Sequence, residues 1–241
     1  MKEVLKAIIK RLPIAFTKNQ QYDEQTRAVI KRVCRPESTC IDIGCHKGEV
    51  LDLMLAAAPQ GRHFGFEPLP DLYAELKRRY ADTGKAQILN VALSNATGTA
   101  TFNYVISNPA YSGLQKRTYD KPDEQDTTIE VQTDLMDRVI ADTQRVDLIK
   151  IDVEGAELQV LEGAVETLRR TRPVVIFEHG LGAADCYGTR PEQVYDLLTE
   201  KAGLRVSLMK RWLRQEAPFT RQEFVQQFEQ GKNYYFIAYP A

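Results

Sequence analysis

The residues best placed to do chemistry begin with a short apolar segment that ends in an acid and a glycine-containing loop. Residues 40–48 read Cys-Ile-Asp-Ile-Gly-Cys-His-Lys-Gly, and a helix is predicted to begin at the second glycine. Glycine permits positive φ and lets a ligand approach the backbone closely. Free N–H groups at the helix start would suit a carboxylate, and Asp42 would meet an ammonium group directly or through water. The loop therefore predicts a site for a zwitterionic amino-acid moiety, formed by Asp42, Gly44, His46 and Gly48.

A second carboxylate follows the next predicted strand. Glu67 lies 25 residues after the aspartate of the loop, in the segment Phe-Gly-Phe-Glu-Pro. A carboxylate at the carboxyl edge of a neighbouring strand can accept hydrogen bonds from both hydroxyls of a ribose. After the third predicted strand, backbone groups of residues 90–94, including Ala92 and Leu93, together with an asparagine or serine side chain, would read an adenine edge. These residues predict a nucleoside beside the amino-acid site.

A dinucleotide-binding loop is the main alternative for this motif. Its fingerprint is G-x-G-x-x-G, in which the glycines clear space for a pyrophosphate. Here His46 holds the second glycine position, and an acid stands two places before the first glycine. That arrangement favours S-adenosylmethionine (AdoMet), which joins a zwitterionic methionine moiety to adenosine, over NAD. A structural turn without a ligand is the second alternative.

Acidic residues also follow the fourth and fifth predicted strands. Asp152, Glu154 and Glu157 come just after the fourth strand, and Glu178 and His179 end the fifth. Ligands of open α/β sheets bind at this carboxyl edge, whereas Glu157 in a first helical turn would mainly stabilise the helix dipole. Asp152 or His179 could act as a general base toward an acceptor, with Glu178 beside them. The less favoured alternative is an Mg²⁺ or Mn²⁺ ion held by Asp152, Glu178 and His179. A further alternative for His179 alone is that it is an ordinary hydrogen-bonding loop residue.

The segments around these acids resemble the FkbM family of AdoMet-dependent methyltransferases. The resemblance extends over about residues 38–180. Its motifs are VQTDLMD at 131–137, IKIDVEGAE at 149–157, LEGA at 161–164 and FEH at 177–179. Family members often have a shorter aspartate-bearing pattern at Met136, and residues 106–127 and 181–241 match nothing in the family pattern.

The resemblance implies a class I methyltransferase fold, a doubly wound and mostly parallel sheet in the order 3-2-1-4-5-7-6. It also implies O-methylation of a hydroxyl on a sugar, a glycan or another natural product, with carbohydrate biosynthesis as the first expectation. The unmatched segments are expected to select the acceptor. Fold alone leaves two other functions open, a nicotinamide-dependent oxidoreductase and a non-catalytic AdoMet-binding module.

The elements that must position these residues alternate along the chain. Short apolar runs typical of strands alternate with longer helical stretches, which predicts βαβ units and a sheet covered on both faces. Strands are predicted at 39–43, 62–66, 86–91, 147–151 and 173–177, and helices at 21–33, 48–57, 70–81, 134–142, 157–170 and 191–202.

Two regions depart from this alternation. Residues 98–106 and 128–133 look like an antiparallel pair around the polar segment 107–127, for which we predict a mobile loop over the acceptor pocket. Residues 204–209 and 234–239 look like a second antiparallel pair that closes the sheet, with a short helix at 220–229. The residues expected to bind the acceptor are Tyr111, Ser112, Lys116, Arg117 and Glu154, with Lys116 and Arg117 available to a phosphate or carboxylate.

The chain is expected to be one methyltransferase domain over residues 1–241. Within it, 1–35 is an N-terminal helical extension, 36–180 is the AdoMet-binding and catalytic core, and 181–241 completes the sheet. Residues 1–18 carry apolar side chains on one helical stripe and basic ones elsewhere, which indicates an amphipathic helix. Such a helix packs on the domain or on a second subunit, or alternatively lies on a membrane.

Composition narrows the classes of partner. Hydrophobic residues make up 43% of the chain and charged residues 27%, the balance of a globular protein. The net charge is −1, so no overall field attracts nucleic acid or an anionic membrane. No apolar run approaches the roughly 18 residues of a membrane helix, and the cysteines have no disulfide-type spacing. We expect a cytoplasmic protein with a small-molecule or glycan acceptor and no nucleic-acid partner, and leave homo-oligomerisation open.

Overall fold

A computed structural model describes residues 17–119 and 123–240. The amphipathic helix predicted over 1–18 therefore lies almost wholly outside the described residues. Within them, no helix combines the length and the apolar character needed to cross a membrane.

Ten strands form two sheets. They are β1 (Cys40–Ile43), β2 (His63–Phe66), β3 (Ala86–Leu89), β4 (Ala92–Leu93), β5 (Gly98–Val105), β6 (Asp126–Asp134), β7 (Leu148–Ile151), β8 (Val174–Glu178), β9 (Leu204–Ser207) and β10 (Tyr235–Pro240). The larger sheet has the order β3-β2-β1-β7-β8-β10-β9, and β4, β6 and β5 form the smaller one. The pairs from β3 to β8 are parallel, whereas β10 runs antiparallel to both β8 and β9. When the strands of the larger sheet alone are numbered along the chain, their order is 3-2-1-4-5-7-6. The predicted class I fold is therefore confirmed.

Nine α-helices connect the strands. They are α1 (Lys18–Val33), α2 (Glu49–Ala57), α3 (Pro70–Tyr80), α4 (Met136–Val139), α5 (Glu157–Glu162), α6 (Val165–Thr171), α7 (Pro191–Asp196), α8 (Met209–Leu213) and α9 (Arg221–Glu229) within the described ranges. The helix predicted over 134–142 is only one turn long, because β6 extends to Asp134. The helix predicted over 157–170 is broken at Gly163, where a side chain would lie 2.1 Å from the Ser94 carbonyl oxygen. The close packing of Gly163 against the turn after β4 thus separates α5 from α6.

The core lies on both faces of the larger sheet. All four residues of β1 and of β7 are buried, which explains why these strands read as continuous apolar runs with a few functional interruptions. On one face Ile41 and Ile149 pack under α5 and α7, and on the other Cys40 and Leu148 pack under α1 and α2. Helix α1 is therefore part of the domain core.

The antiparallel pair around 107–127 is confirmed. Strands β5 and β6 pair over their whole length, from Gly98 opposite Thr133 to Val105 opposite Asp126. The intervening segment folds back on β5, where Asn103 and Gly113 exchange backbone hydrogen bonds of 2.8 and 3.1 Å.

The end of β1 sets a steric test of the fold. Gly44 has a φ of +77°, and a Cβ there would lie 1.9 Å from the Asp152 carbonyl oxygen. Gly84 has a φ of +60° but no neighbouring described atom within 4 Å of that position. We expect Gly84→Ala to lower the free energy of unfolding by about 1 kcal/mol, the cost of a left-handed backbone. Gly44→Ala should cost about 1–3 kcal/mol more, because β1 and β7 must separate. Equal losses in urea unfolding would contradict the close approach of these strands.

Candidate functional site

A cavity of about 300 Å³ lies at the carboxyl edge of β1, β2 and β7. This volume is at the lower end of small-molecule sites. Nine of the residues predicted from the sequence line it, namely Asp42, Gly44, His46, Glu67, Ala92, Leu93, Ser112, Asp152 and Glu154. Gly48, Tyr111, Lys116, Arg117, Glu178 and His179 do not contribute to its walls.

Asp42 is a buried acid that faces this cavity. Its side chain is 1% exposed, and neither carboxylate oxygen makes a hydrogen bond to any residue that the structure describes. Burial, together with the charge of Asp152, raises the pKa of Asp42 to about 6, although Lys150 opposes the shift. A buried acid without partners is costly, and a positively charged ligand group would satisfy it.

The loop after Asp42 is tied to β2. The Gly44 and Cys45 N–H groups donate to the Phe66 carbonyl at 3.0 and 3.1 Å, and the His46 N–H donates to Glu67 Oε2 at 2.8 Å. His46 holds a φ of 48°, so the loop turns sharply. These three N–H groups are therefore engaged within the protein, whereas the N–H groups predicted to bind a carboxylate are those at the start of the helix that follows, α2.

Gly48 has a structural role. It begins α2 with a φ of +75°, and a Cβ there would lie 2.5 Å from the Tyr80 hydroxyl. The residue therefore lets α3 pack against the start of α2, and it stands behind the cavity wall. Gly48 therefore does not line the cavity, contrary to its predicted contact with the cofactor.

Glu67 is oriented by the backbone around it. Its Oε1 accepts from the Leu69 N–H at 3.0 Å, and its second oxygen accepts from the loop. Burial raises the pKa of Glu67 to about 7. The Asn90 amide donates to the carbonyls of Glu67 and Pro68 at 2.9 Å each, so it holds this turn and does not reach the cavity. Each carboxylate oxygen keeps a further lone pair for a ligand hydroxyl.

Asp152 is the most highly bonded acid of the site. Its Oδ2 accepts from the Lys150 ammonium at 2.7 Å and from the Tyr235 hydroxyl at 2.5 Å. Burial would raise the pKa of Asp152, but the charge of Lys150 and hydrogen bonds from Glu178, Lys150 and Tyr235 outweigh it and lower the pKa. Burial and the charge of Asp152 raise the pKa of Glu178 well above its ordinary value. Asp152 is therefore the acid of this pair that holds its charge, whereas Glu178 keeps its proton to a higher pH than an ordinary glutamic acid.

His179 does not face the cavity. Its ring stacks between Phe228, 4.6 Å away, and Phe224, 6.0 Å away, and is completely buried. Successive residues of a strand point to opposite faces, so Glu178 meets Asp152 while His179 follows Phe177 to the side of α9. The expectation that His179 lies beside the acids of β7 was wrong.

The acids that could together hold a metal ion are correspondingly different. Asp152, Glu154 and Glu178 each offer an oxygen within 4.8 Å of the others. His179 is absent from this group, and Glu154 takes its place. Asp152 is already paired with Lys150, and Glu154 with Arg117. Two of the three acids therefore already have positively charged side chains of the protein as partners.

The segment between β5 and β6 forms one wall of the cavity. Pro109, Ala110, Ser112 and Leu114 line it, and the Ser112 hydroxyl accepts from the Val105 N–H at 3.0 Å. The segment thus lies where an acceptor loop was predicted.

The basic residues of this segment are engaged within the protein. Lys116 pairs with Asp126 at 2.5 Å, and Arg117 pairs with Glu154 while its guanidinium lies 4.9 Å from the Tyr111 ring centroid. Their expected availability to an acceptor phosphate was wrong. Tyr111 lies beside the cavity wall rather than in it, stacked on Tyr119.

Comparison with known proteins decides the family. The profile of the methyltransferase FkbM domain matches residues 42–206, well over half of the chain. This protein belongs to the FkbM methyltransferase family. The matched range holds Asp42, Glu67 and Asp152, and it excludes α1 and β10.

Several known proteins are similar to this FkbM chain. The 2-O-methyltransferase NoeI of Sinorhizobium fredii (strain NBRC 101917 / NGR234) is 26% identical over 163 residues, which cover 61% of this chain and 65% of the relative. The methyltransferase sdnD of Sordaria araneosa is 29% identical over 155 residues, 52% of this chain and 60% of the relative. The alignments thus span less than two thirds of these relatives. The crystal structure of methyltransferase FkbM from Methylobacillus flagellatus KT superposes with a TM-score of 0.52 at 15% identity, covering 97% of this chain and 57% of that one, which supports the shared fold.

Sequence reasoning missed the contributions of Lys150, Tyr235 and α1. Lys150 is 93% buried in β7, and a lysine between apolar strand residues was the signal that it needs an anion nearby. Tyr235 and the α1 residues Tyr22, Thr26 and Arg27 line the cavity from outside the family range. No local motif marks these four, because only the fold brings them to the edge of β7.

The placement of His179 predicts a pH-dependent stability. Burial lowers the pKa of His179 to about 4, whereas an unfolded histidine has a pKa of about 6.5. As the pH falls from 7 to about 4.5, the unfolded state gains a proton that the folded state does not, so the contribution of His179 to stability is lost. Relative to His179→Phe, the wild-type free energy of unfolding should fall by about 2–3 kcal/mol over this range. Urea unfolding of both proteins at both pH values measures it, and a constant difference would contradict the burial of the neutral ring.

Proposed function

We propose that this chain is an AdoMet-dependent methyltransferase that methylates a hydroxyl of a sugar, a glycan or another natural product. The observation that carries the proposal is the buried Asp42 carboxylate, which faces the cavity without a partner among the described residues. A positively charged ligand group would supply what this acid lacks. The ammonium of a methionine moiety is such a group.

The other walls fit the remaining parts of AdoMet. Glu67 would accept hydrogen bonds from the ribose hydroxyls, since its carboxylate is fixed by two backbone N–H groups and borders the cavity. Leu69, Leu93 and Phe102 are buried apolar residues of the same walls and would contact the adenine ring. The adenosine and methionine parts would then meet at the carboxyl edge of β1.

When bound, AdoMet supplies an electrophilic methyl carbon on a sulfonium. The protein's part is to hold the acceptor oxygen in line with that carbon, which is where most of the acceleration of methyl transfer arises. Asp152 is the ionised acid at this edge of the cavity, and Lys150 and Tyr235 fix its orientation. It would accept a hydrogen bond from the acceptor hydroxyl and take up its proton as the new C–O bond makes that oxygen acidic.

Two observations favour an oxygen acceptor. The relative NoeI is named a 2-O-methyltransferase, and the cavity offers an acid to a hydroxyl proton. The wall formed by Ser112 and its neighbours, together with the adjacent Glu154, would contact the rest of the acceptor. A polar acceptor such as a sugar suits this mixture of carboxylate and small side chains.

Donor binding is tested at Asp42. Asp42→Asn should weaken the binding of S-adenosylhomocysteine by about 10- to 100-fold, the scale of about 1.5–3 kcal/mol for a hydrogen bond to a charged group. Asp82→Asn, at an exposed acid of the turn after α3, should leave the Kd unchanged. Calorimetry measures both, and thermal shifts with NAD test the oxidoreductase alternative. Equal affinities of Asp42→Asn and wild type, or stabilisation by NAD alone, would contradict the proposal.

Proton removal is tested at Asp152. Release of S-adenosylhomocysteine from AdoMet with a panel of monosaccharides, glycosides and phenols should identify an acceptor. With that acceptor, Asp152→Asn should lower kcat by about 10²–10⁴-fold while the Kd of S-adenosylhomocysteine changes little. Tyr235→Phe, which removes one hydrogen bond to Asp152, should have a smaller effect. Wild-type turnover by Asp152→Asn would exclude this role.

A further inference from the structure

Helix α1 contributes a cation to the donor end of the cavity. Tyr22, Asp23, Thr26 and Arg27 line the cavity together with the loop after β1 and the start of α2. Arg27 is exposed on its outer side, and no residue within 17–119 or 123–240 forms a hydrogen bond or an ion pair with its guanidinium. The family profile begins only at residue 42. Arg27 therefore lies outside the range that the family profile matches.

The backbone of the loop before α2 is largely engaged within the protein. The N–H groups of Gly44, Cys45 and His46 donate to β2 and to Glu67, and the Gly48 N–H donates to the Cys45 carbonyl at 2.7 Å. Four of the five N–H groups in residues 44–48 thus have partners inside the protein. The N–H groups predicted for a methionine carboxylate are those at the start of α2, and a nearby cation would supply the charge that these neutral donors lack.

The acids in the cavity wall favour a cation beside a ligand carboxylate. Asp23 and Glu49 are among the residues that line the cavity, and like charges would repel a ligand carboxylate. Three cations also line the cavity, Arg27, Lys47 and Lys150. Lys150 is buried and bonded to Asp152, so it is already engaged. The choice therefore lies between Arg27 and Lys47.

Arg27 is the better placed of these two. Its neighbours on α1 fix the helix, because the Tyr22 hydroxyl donates to Asn233 at 3.0 Å and Thr26 contacts Met209 at 3.6 Å. A guanidinium binds a carboxylate through two parallel hydrogen bonds, whereas a lysine ammonium is a flexible point charge. Lys47 and Arg27 are both exposed, so the geometry of the guanidinium is what favours Arg27.

We propose that Arg27 binds the carboxylate of the methionine moiety of AdoMet. The inference rests on the proposed function. Asp42 would hold the ammonium and Arg27 the carboxylate, so that the two ends of the zwitterion are held by β1 and α1. Helix α1 thereby becomes part of the donor site.

Two ligands that differ only in the carboxylate test this assignment. Calorimetry would compare S-adenosylhomocysteine with its decarboxylated analogue, S-adenosyl-3-thiopropylamine, which keeps the ammonium. Arg27→Ala should weaken S-adenosylhomocysteine about tenfold and leave the analogue unchanged, and Arg27→Lys should lose less. Asp42→Asn should weaken both ligands. In wild type, affinity for S-adenosylhomocysteine should also fall more steeply with salt than in Arg27→Ala.

The control is Lys31→Ala, one turn further along α1 at an exposed lysine outside the cavity, which should change neither affinity. Equal effects of Arg27→Ala on both ligands, or none on either, would overturn the role of Arg27 and leave the proposed function standing. Selective loss in Lys47→Ala instead of Arg27→Ala would also overturn it. Failure of the wild-type protein to bind either ligand would overturn the proposed function together with this inference.

Discussion

The ion pair between Lys150 and Asp152 keeps Asp152 ionised and acts on the neighbouring acids Asp42 and Glu178. Lys150 lies inside a strand that is buried on both faces, so its ammonium needs an anion within reach. One cation can hold one carboxylate ionised, and Asp152 is the carboxylate that pairs with Lys150. The pKa values of the other acids at this edge, Asp42, Glu67 and Glu178, shift in the opposite direction. They are raised, first of all because these side chains are buried. The cavity is thus poised for a ligand that carries positive charge, and a sulfonium beside an ammonium has that property.

Much of the scaffold was predictable because it follows from periodicity. The alternation of apolar runs and helical stretches gave the parallel strands, and Asp42, Glu67 and Asp152 were found because parallel strands bring their carboxyl ends to one edge. The strand order itself came from the resemblance to the family. Helix lengths were less predictable, because contacts such as that of Gly163 with Ser94 depend on tertiary packing.

The errors at the site have identifiable physical causes. His179 was placed beside Asp152 although Glu178 and His179 are neighbours on one strand, and neighbours on a strand face opposite sides. The sequence predicts Lys116 and Arg117 to be available, because their pairing with Asp126 and Glu154 depends on how the segment folds back on the domain. Tyr235 and Arg27 carry no motif, and only the three-dimensional arrangement shows that they reach the cavity.

The position of β10 has a consequence for how the site assembles. This strand follows β9 in sequence, yet it lies between β8 and β9 and supplies the pairing partner that β9 has in the larger sheet. It also carries Tyr235, which bonds Asp152 from 83 residues away, and it packs against Tyr22 of α1. A contact this distant in sequence requires the closure of a long loop, which carries an entropic cost. A chain that is still emerging from the ribosome would hold its sheet open at β8, with Asp152 incompletely bonded. Insertion of β10 is then the event that joins sheet closure to completion of the cavity.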